Sequence, residues 1–409
     1  MPEKHDSTEF SAADSALDAR LPTKTMSINM GPSHPASHGT VRFNIELDGE
    51  TIVKLDPEIG FLHRGFEKSC ENVTWQQCLP YTDRLNYVSA LCNNFGFLSA
   101  IEKLAGIEIP ERAKYIRTIG AEMHRLCDHL TCTAAMGMEL GGFAPFLYGM
   151  EARELLWDRL AELTGARVTT SFGRIGGVER DLPEGWIQKV KDTLVKVEEF
   201  RKEIDVLLTL NRLFIDRTKN TGVISGEDAI DYGFTGPMLR ASGVSYDIRK
   251  AHPYWVYDRL DFKVPVGVNG DNFDRYYIRM EEMVQSISMI LQCFEQMEPG
   301  PHIIEDWRYV MPPKPQVYST IEGVIGHFKL VMEGIKIPRG EVYSYTESPN
   351  GELGWYLVSD GSGRPYKVHC RAPGIQMVSG LEHMVKGSML PDLIPTFDAV
   401  NMIGGEVEQ

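Results

Sequence analysis

The sequence predicts an α+β protein with an N-terminal β unit, a central bundle of long helices and a mixed C-terminal region. Apolar residues alternate with polar ones between Val41 and Leu55, which is the period of a half-buried hairpin. Between about residues 66 and 215 the apolar period lengthens to three and four, as in amphipathic helices. Near the end, Trp355 to Val358 and Tyr366 to Cys370 flank the turn signal Asp360-Gly361, which indicates a second hairpin.

These changes of pattern divide the chain into four segments. Residues 1–24 are polar and acidic and show no apolar period, so we expect a flexible tail. Residues 25–65 form the predicted β unit with its loop, and residues 66–215 form the helical bundle. Residues 216–409 form the mixed α/β region.

The β unit begins with the strand-like segment Met26 to Met30 and continues as a hairpin that turns at Asp48-Gly49. Its alternating residues are Val41, Phe43, Ile45 and Leu47 before the turn and Thr51, Val53 and Leu55 after it. A period of two places these side chains on one face of the hairpin. We expect that face to be buried.

Three apolar stripes predict the long helices. They are Ile116, Ile119, Met123, Leu126 and Leu130; Ile187, Val190, Leu194 and Val197; and Met280, Val284, Ile287, Leu291 and Phe294. The Gly- and Asp-rich stretch from Val266 to Asp274, which precedes the third stripe, is predicted as loop. Glu122 and Arg125 lie three residues apart on the first helix, and we interpret them as a structural ion pair.

Composition limits the possible partners. The chain has 409 residues and a formal net charge of -15 at pH 7, which argues against nucleic acid and against an anionic bilayer bound through a basic patch. Its longest apolar stretch, Ala134 to Met150, is interrupted by Glu139, and no segment has the roughly 18 uncharged residues of a membrane span. The first 24 residues lack the features of a signal peptide. We therefore expect protein partners, no nucleic acid and a cytoplasmic location.

The seven cysteines are an odd number and form no Cys-x-x-Cys pair. In a long chain without an export signal they are expected to be reduced thiols rather than a disulfide framework. Iron–sulfur and structural zinc sites usually place two thiolates on one tight turn. We therefore expect no cofactor to be bound by this chain alone, and any iron–sulfur cluster to be held by another chain.

The densest cluster of unusual residues runs from Gly31 to Gly39 and contains His34 and His38. Its prolines and glycines predict a loop, and no Glu lies between the histidines, so they do not form the helical zinc pair of a metalloprotease. Three interpretations remain open: zinc ligation, hydrogen bonds to the loop backbone, and donation of N–H groups to a ligand in a cleft.

A series of motifs then resembles one family in order and spacing. The motifs are Gly31-Pro32-Ser33-His34-Pro35-Ala36-Ser37-His38-Gly39, Leu62-His63-Arg64-Gly65-Phe66-Glu67-Lys68, Pro80-Tyr81 with Arg84 and Tyr87, Arg174 to Val178 with Asp181 to Pro183, Leu239 to Gly243, Gly340 to Tyr343, Val358 to Gly361, and Arg371 to Pro373. Each motif is weak alone, but their joint order is specific. From about residue 25 onward the chain resembles the quinone-site subunit, known as the D subunit, of complex I-type NADH:quinone oxidoreductases.

The resemblance implies a fold similar to that of nickel–iron hydrogenase large subunits, without the metal centre. It implies a peripheral-arm subunit on the cytoplasmic side of the bacterial inner membrane, in a proton-pumping complex. Electrons would pass from NADH through FMN and iron–sulfur clusters to quinone. The terminal 4Fe-4S cluster would belong to a partner of the B type, and other partners would be of the C, I and membrane H types.

The resemblance also implies site residues. Tyr87 and the loop histidine His38 match residues that hydrogen-bond the two quinone oxygens, and His34 lies in the same quinone-binding loop. Glu139 matches a catalytic carboxylate beside that histidine, where the family usually has aspartate. Arg64 matches an arginine close to the terminal cluster. A surface salt bridge with Glu67, one turn away, is the alternative for Arg64.

Two rival functions follow from the same motifs. A nickel–iron hydrogenase needs four cysteines, but the corresponding stretches here, Arg84 to Ser89 and Asp398 to Ile403, contain none, and such a centre requires thiolates. A scaffold subunit that no longer handles quinone is the second rival, and the presence of His34, His38 and Tyr87 argues against it. A further departure from the family is Thr169, where many relatives have a titratable histidine near the cluster.

Overall fold

A computed structural model describes residues 24–34 and 39–408. The predicted flexible tail therefore lies outside the described residues, apart from residue 24. The predicted α+β class is confirmed, because long helices and separate antiparallel sheets both occur.

The strands form three small sheets. They are β1 (Met26–Met30), β2 (Arg42–Asp48), β3 (Thr51–Glu58), β4 (Gly173–Arg174), β5 (Gly177–Val178), β6 (Gly340–Ser348), β7 (Gly351–Ser359) and β8 (Lys367–Arg371). β1, β2 and β3 pair antiparallel in chain order, as do β6, β7 and β8, while β4 pairs with β5. The predicted C-terminal hairpin is confirmed as β7 and β8, and β6 is a third strand that the periodicity did not predict.

In the first hairpin, the predicted alternation is confirmed on β2 and is wrong at one position of β3. Phe43, Ile45 and Leu47 are buried as expected. On β3, however, the register shifts where Glu46 pairs with Lys54 and Leu47 pairs with Ile52. The residue between, Val53, has no partner in this ladder and is 38% exposed, while Ile52 is buried. The prediction that Val53 faces the core is therefore wrong, because an extra residue in one strand of a pair shifts the face that follows.

The helices are listed here in chain order. They are α1 (Phe66–Glu71), α2 (Leu79–Thr82), α3 (Ala90–Ala105), α4 (Glu111–Glu139), α5 (Phe143–Thr164), α6 (Trp186–Leu208), α7 (Arg212–Thr218), α8 (Gly226–Asp231), α9 (Gly236–Ala241), α10 (Ile248–Ala251), α11 (Asn272–Gln296), α12 (Lys314–Ser319), α13 (Ile321–Met332), α14 (Pro373–Ser379), α15 (Leu381–Val385), α16 (Leu393–Val400) and α17 (Gly404–Val407). The three apolar stripes lie on α4, α6 and α11, so these helices are confirmed.

The start of α11 corrects the predicted loop. The Asp271 side chain accepts a hydrogen bond from the Asp274 N–H at 2.8 Å, which caps the helix. The helix therefore begins at Asn272, and the predicted loop from Val266 to Asp274 is three residues too long.

Two hydrophobic cores hold these elements together. The larger one lies among α3, α4, α5, α6 and α11. The smaller one joins the inner face of the first sheet to C-terminal helices, as in the edge-to-face contact of Phe43 with Phe397 at 5.0 Å. The loop between β1 and β2 is thereby brought to the C-terminal part of the chain.

Helix α4 is buried almost completely and carries an ionic network. Glu122, with no exposed surface, accepts hydrogen bonds from Arg125 (3.2 Å), Arg249 (3.2 Å), Tyr257 (2.6 Å) and Ser286 (2.6 Å). The predicted ion pair of Glu122 with Arg125 is thus confirmed, as part of a larger cluster. The nearby cations hold the pKa of Glu122 below its usual value although burial raises it.

A second buried set continues this network toward α11. The Glu282 carboxylate bonds Arg240 at 2.6 Å and the His129 Nε2 at 2.8 Å. Arg240 also donates to Glu347 at 2.8 Å. These contacts tie α4, α9 and α11 to strand β6, so the charges of this set are paired within the chain.

Helix α13 has the opposite character. Its side chains Val324, Phe328 and Met332 are 50%, 60% and 68% exposed. These residues are spaced four apart and share one helix face. Among the described residues, no apolar side chains cover this face.

Candidate functional site

The described parts of the histidine loop, Gly31 to His34 and Gly39, contain no helix or strand, as the sequence predicts. Gly31 has a φ of 92°, and a side chain there would collide with the Val41 carbonyl, so only glycine fits. The Val41 N–H donates to the Pro32 carbonyl at 3.1 Å, which closes the start of the loop. His34 is half-buried. His38 lies outside the described residues, so its predicted role stays a prediction.

Arg64 lies just before α1, and its side chain is exposed. Its Nη2 donates to the Arg84 carbonyl at 2.9 Å. The Glu67 carboxylate instead accepts from His369 Nδ1 (2.8 Å) and the Cys370 N–H (2.9 Å). The alternative of a salt bridge between Arg64 and Glu67 is therefore wrong for the described residues, and a fixed positive charge is presented beside the backbone of Arg84.

Tyr87 opens a single 3-10 turn that its neighbour caps. The Asn86 side chain accepts from the Val88 and Ser89 N–H groups at 3.2 and 3.3 Å, which fixes the chain direction at Tyr87. The tyrosine is half-buried. Burial raises its pKa, the negative charge of Asp128 raises it further, and Arg153 opposes the shift. The phenol therefore keeps its proton near neutral pH.

Beneath this turn, Asp128 of α4 is the central buried acceptor. Its Oδ2 accepts from the Asn86 amide at 2.8 Å, and its Oδ1 accepts from the Asn401 amide at 2.6 Å. Asp128 is 1% exposed. Because both oxygens are hydrogen-bonded, the buried carboxylate is satisfied without a cation.

The C-terminal segment, residues 398–408, joins the other parts. A side chain on Gly405 would come within 2.8 Å of the Leu85 carbonyl and 3.6 Å of the Arg64 guanidinium. A side chain on Gly39, at the end of the histidine loop, would come within 2.9 Å of the Gly404 Cα. The end of the histidine loop, the Arg64 guanidinium and the Leu85 carbonyl, two residues before Tyr87, therefore all lie close to this segment.

Glu139 reaches the same segment from the end of α4. It is half-buried, and its negative charge, together with strong burial, raises the pKa of Asp398 well above its usual range. Neither carboxyl oxygen of Asp398 has a hydrogen-bond partner among the described residues. Burial, and then the charge of Glu139, therefore favour the protonated form of Asp398.

The structure thus brings Arg64, Tyr87 and the end of the histidine loop together, and places Glu139 near the same segment through Asp398. Sequence reasoning missed Asp128, Asn401 and Glu406, which lie inside this site. No periodic signal marked the first of them, because Asp128 lies on the side of α4 opposite the apolar stripe from Ile116 to Leu130.

The described residues show no arrangement of side chains suited to binding a metal ion. Within residues 24–34 and 39–408, no three His, Cys, Asp or Glu side chains are arranged to hold one. All seven cysteines are free and buried, and burial raises the pKa of Cys92 and of Cys132 to about 12. No helix in this part of the chain has both the length and the apolar character needed to cross a membrane.

Comparison with known proteins decides the family. The family model described as respiratory-chain NADH dehydrogenase, 49 Kd subunit, matches residues 139–409. The NADH-quinone oxidoreductase D subunit of Myxococcus xanthus (strain DK1622) is 69% identical, over 98% of this chain and 97% of its own length. The chain belongs to the 49 Kd, or D-subunit, family. The resemblance found in its motifs is confirmed.

Other relatives extend the same result. The NADH-quinone oxidoreductase D subunit numbered 1 in Anaeromyxobacter dehalogenans (strain 2CP-C) is 66% identical, over 97% of this chain and 93% of its own length. A protein of Bdellovibrio bacteriovorus, named as the C/D subunit, is 48% identical, over 95% of this chain and 70% of its own length. As a member of the D-subunit family, the chain is part of an oxidoreductase complex.

Proposed function

We propose that this chain forms the quinone headgroup site of a proton-pumping NADH:quinone oxidoreductase, beside a terminal 4Fe-4S cluster held by a neighbouring subunit. The observation that carries the proposal is the half-buried Tyr87, whose backbone turn is capped by Asn86 and is tied to the buried Asp128 through the Asn86 amide. It lies where the histidine loop, Arg64 and the C-terminal segment meet. The names of the relatives, which include quinone, support this choice of substrate.

Quinone reduction needs two electrons and two protons, which end on two carbonyl oxygens and give a quinol. A phenol and an imidazole can each donate a hydrogen bond near neutral pH without carrying an obligatory charge. Tyr87 would serve one oxygen and His38 the other, with His34 in the same loop. The raised pKa of Tyr87 supports its part, because the phenol stays protonated until the reduced quinone demands a proton.

Arg64 would lie on the cluster side of the site. Its guanidinium is exposed and held by the Arg84 carbonyl rather than neutralised by Glu67. A fixed positive charge favours the more negative, reduced state of a nearby cluster. The exposed position supports a role at the surface that a cluster-bearing partner of the B type would cover.

Glu139 would act on the histidine loop as a catalytic carboxylate. A carboxylate next to an imidazole favours the imidazolium and orients the ring. Glu139 lies close enough to the buried Asp398 for its charge to raise the pKa of that acid. This supports a role in holding a proton near the quinone.

The hydrogenase-like fold belongs to the same proposal. The stretches that would carry the lost cysteine pairs run from Arg84 to Ser89 and from Asp398 to Ile403. Asn86 in the first and Asn401 in the second both bond Asp128. Because both asparagines bond Asp128, the two stretches lie close together. This supports a quinone pocket in the space where a metal centre would have been.

We also propose partners of the B, C, I and membrane H types and a peripheral position on the cytoplasmic side of the inner membrane. The name of the Bdellovibrio relative, which joins the letters C and D, supports a C-type neighbour. The membrane H-type partner would admit the isoprenoid tail of the quinone. Electrons would reach the site from NADH through FMN and iron–sulfur clusters of other subunits.

The test is quinone reduction by the assembled complex carrying Tyr87→Phe, with the terminal cluster followed by EPR in the same membranes. We expect NADH to reduce the cluster normally while quinone turnover falls at least about tenfold, equivalent to roughly 1.4 kcal/mol of barrier. The phenol hydroxyl is the only group removed.

Tyr115→Phe is the matched control. Tyr115 lies on α4 far from Asp128, is 6% exposed, and bonds Gln296 at 3.4 Å. Its variant should keep native turnover. Unchanged turnover in Tyr87→Phe would remove the pocket assignment and favour a scaffold role.

A further inference from the structure

A buried chain of polar side chains leads away from the Tyr87 site. Asp128 is bonded by the Asn401 amide, which also donates to the Asn350 Oδ1 at 2.7 Å. Asn350 in turn donates to the Asn401 carbonyl at 3.2 Å and hydrogen-bonds the Glu406 carboxyl. All four side chains are at most 3% exposed. This series of hydrogen-bonded side chains ends at Glu406, an acid that no step of the proposed quinone chemistry uses.

The surroundings of Glu406 come from helices α14 and α4 and from strand β8. The Gly374 N–H at the start of α14 donates to its Oε1 at 3.0 Å. Asp128 lies toward α4, and Arg371 and Cys370 lie on β8. The pKa of Glu406 is raised to about 7, chiefly by burial and also by Asp128, against the lowering effect of the Gly374 N–H, Asn350 and Arg371. Glu406 can therefore change its protonation near neutral pH.

The Arg371 guanidinium donates to the Glu352 carbonyl at 2.7 Å and to the Gly233 carbonyl at 2.8 Å. Glu408, two residues beyond Glu406, accepts from the Leu62 N–H. Asp128 is one charge that acts on both Glu406 and Tyr87, since it raises the pKa of both.

We propose that Glu406 is the proton-binding positioning residue of the quinone site. It takes up one proton from solvent when negative charge forms at Tyr87, and releases that proton when the neutral quinol leaves. The step joins a proton to the carboxylate and separates it again, and it leaves the two electrons and two protons of quinol formation unchanged. This inference rests on the proposed quinone function and adds a residue to it.

The sign of the effect follows from charge. A protonated Glu406 leaves only Asp128 as a negative charge in the buried chain, so an anion at Tyr87 forms more easily. An ionised Glu406 adds a second negative charge and opposes that anion. We therefore expect kcat/KM for quinone to fall about tenfold between pH 6 and pH 8 in the native complex.

Glu406→Gln tests the proposal in membranes that contain the assembled complex, with NADH as donor and a short-chain ubiquinone analogue as acceptor. Glutamine cannot ionise, and its one carbonyl oxygen can still accept from the Gly374 N–H. The variant should lose the fall between pH 6 and pH 8 and retain at least native kcat/KM at pH 8. A merely structural role would lower the rate at every pH and leave the shape of the profile unchanged.

Two variants complete the test. Glu408→Gln, a matched buried carboxyl on the same segment, should keep the native pH profile. Asp128→Asn removes the charge that raises the pKa of Glu406, so the fall should move to lower pH. An assembled Asp128→Asn complex with an unmoved fall would overturn the proposal even if Glu406→Gln failed to assemble.

The two proposals fail separately. Unchanged turnover in Tyr87→Phe would remove the quinone assignment itself. Slow turnover in Tyr87→Phe, together with a native pH profile in Glu406→Gln, would leave the quinone assignment in place and overturn only the role of Glu406.

Discussion

Helices α4 and α13 both depart from the usual rule that charged side chains are exposed and apolar ones are buried. Helix α4 buries charged groups, and helix α13 exposes apolar ones. Inside the bundle, Glu122 and Arg125 on α4 have no exposed surface, yet partners from this chain satisfy both. On the outside, α13 presents Phe328 and its apolar neighbours to solvent. Ionic groups are costly to bury unless paired, and large exposed apolar faces mark contact surfaces. The charges of α4 therefore serve the chain's own fold, while the apolar face of α13 is a candidate contact surface.

The largest expected effect comes from breaking the α4 network. Arg249→Met removes the cation that bonds both Glu122 at 3.2 Å and Asp247 at 2.7 Å. Two buried carboxylates then lose a partner, which costs about 3–5 kcal/mol when one member of a buried pair is removed. Urea unfolding of the purified chain should register this loss in the free energy of unfolding.

Arg212→Met provides the comparison on the surface. Arg212 pairs with Asp216 at 3.4 Å, and its side chain is 93% exposed. Exposed pairs contribute about 0–1 kcal/mol, so this variant should unfold near the native urea concentration. An equal loss in both variants would contradict the distinction between buried and exposed charges.

A smaller effect should come from His124, a buried titratable group of α4. Its Nδ1 bonds the Val88 carbonyl at 3.1 Å, and burial lowers its pKa to about 4, against about 6.5 in an unfolded chain. The unfolded state therefore binds more protons between these values, so the free energy of unfolding falls as pH falls through this window. The loss should be roughly 1.5 kcal/mol between pH 6.5 and pH 5.

Urea unfolding of native protein and His124→Gln across that pH range measures the loss. The glutamine variant cannot take up this proton, so its free energy of unfolding should depend less steeply on pH. Parallel pH profiles in the two proteins would assign the acid sensitivity to other groups.

The smallest effect on folding should come from α13. Phe328→Asp changes a side chain that is 60% exposed, so the free energy of unfolding should stay within about 0.5 kcal/mol of native. Assembled complex in membranes should nevertheless fall severalfold, because a charge would enter an interface between subunits. Native gel electrophoresis of solubilised membranes measures the assembled fraction.

Leu330→Asp on the same helix gives the opposite pattern. Leu330 is 6% exposed and packs against the main core, so its replacement should lower the free energy of unfolding by more than about 2 kcal/mol. Normal assembly of Phe328→Asp would mean that no other chain covers the apolar face.

The sequence predicted local features well and remote pairings poorly. The alternation of Phe43, Ile45 and Leu47 was enough to place β2, because side-chain period reports the buried face. Val53 broke the pattern because a register shift depends on the partner strand, which composition does not describe. The division of the chain into four segments and the role of His38 stay predictions.

In the candidate site, too, residues in local motifs were predicted, and residues that depend on remote pairings were missed. Arg64 and Tyr87 were predicted from motifs with fixed spacing. Asp128 and Asn401 were missed because their meaning comes from a hydrogen bond between residues 273 positions apart. Only the fold, which brings the two together, separates them from other polar residues of the chain.

The hydrogen bond between Asp128 and Asn401 joins residues that are synthesised at different times. A ribosome adds about 5–20 residues per second, so Asp128 emerges roughly 15–55 seconds before Asn401. Until then its carboxylate has only Asn86 as a partner and must stay in water. The hydrogen bond between Asp128 and Asn401 therefore forms only after almost all of the chain has been made.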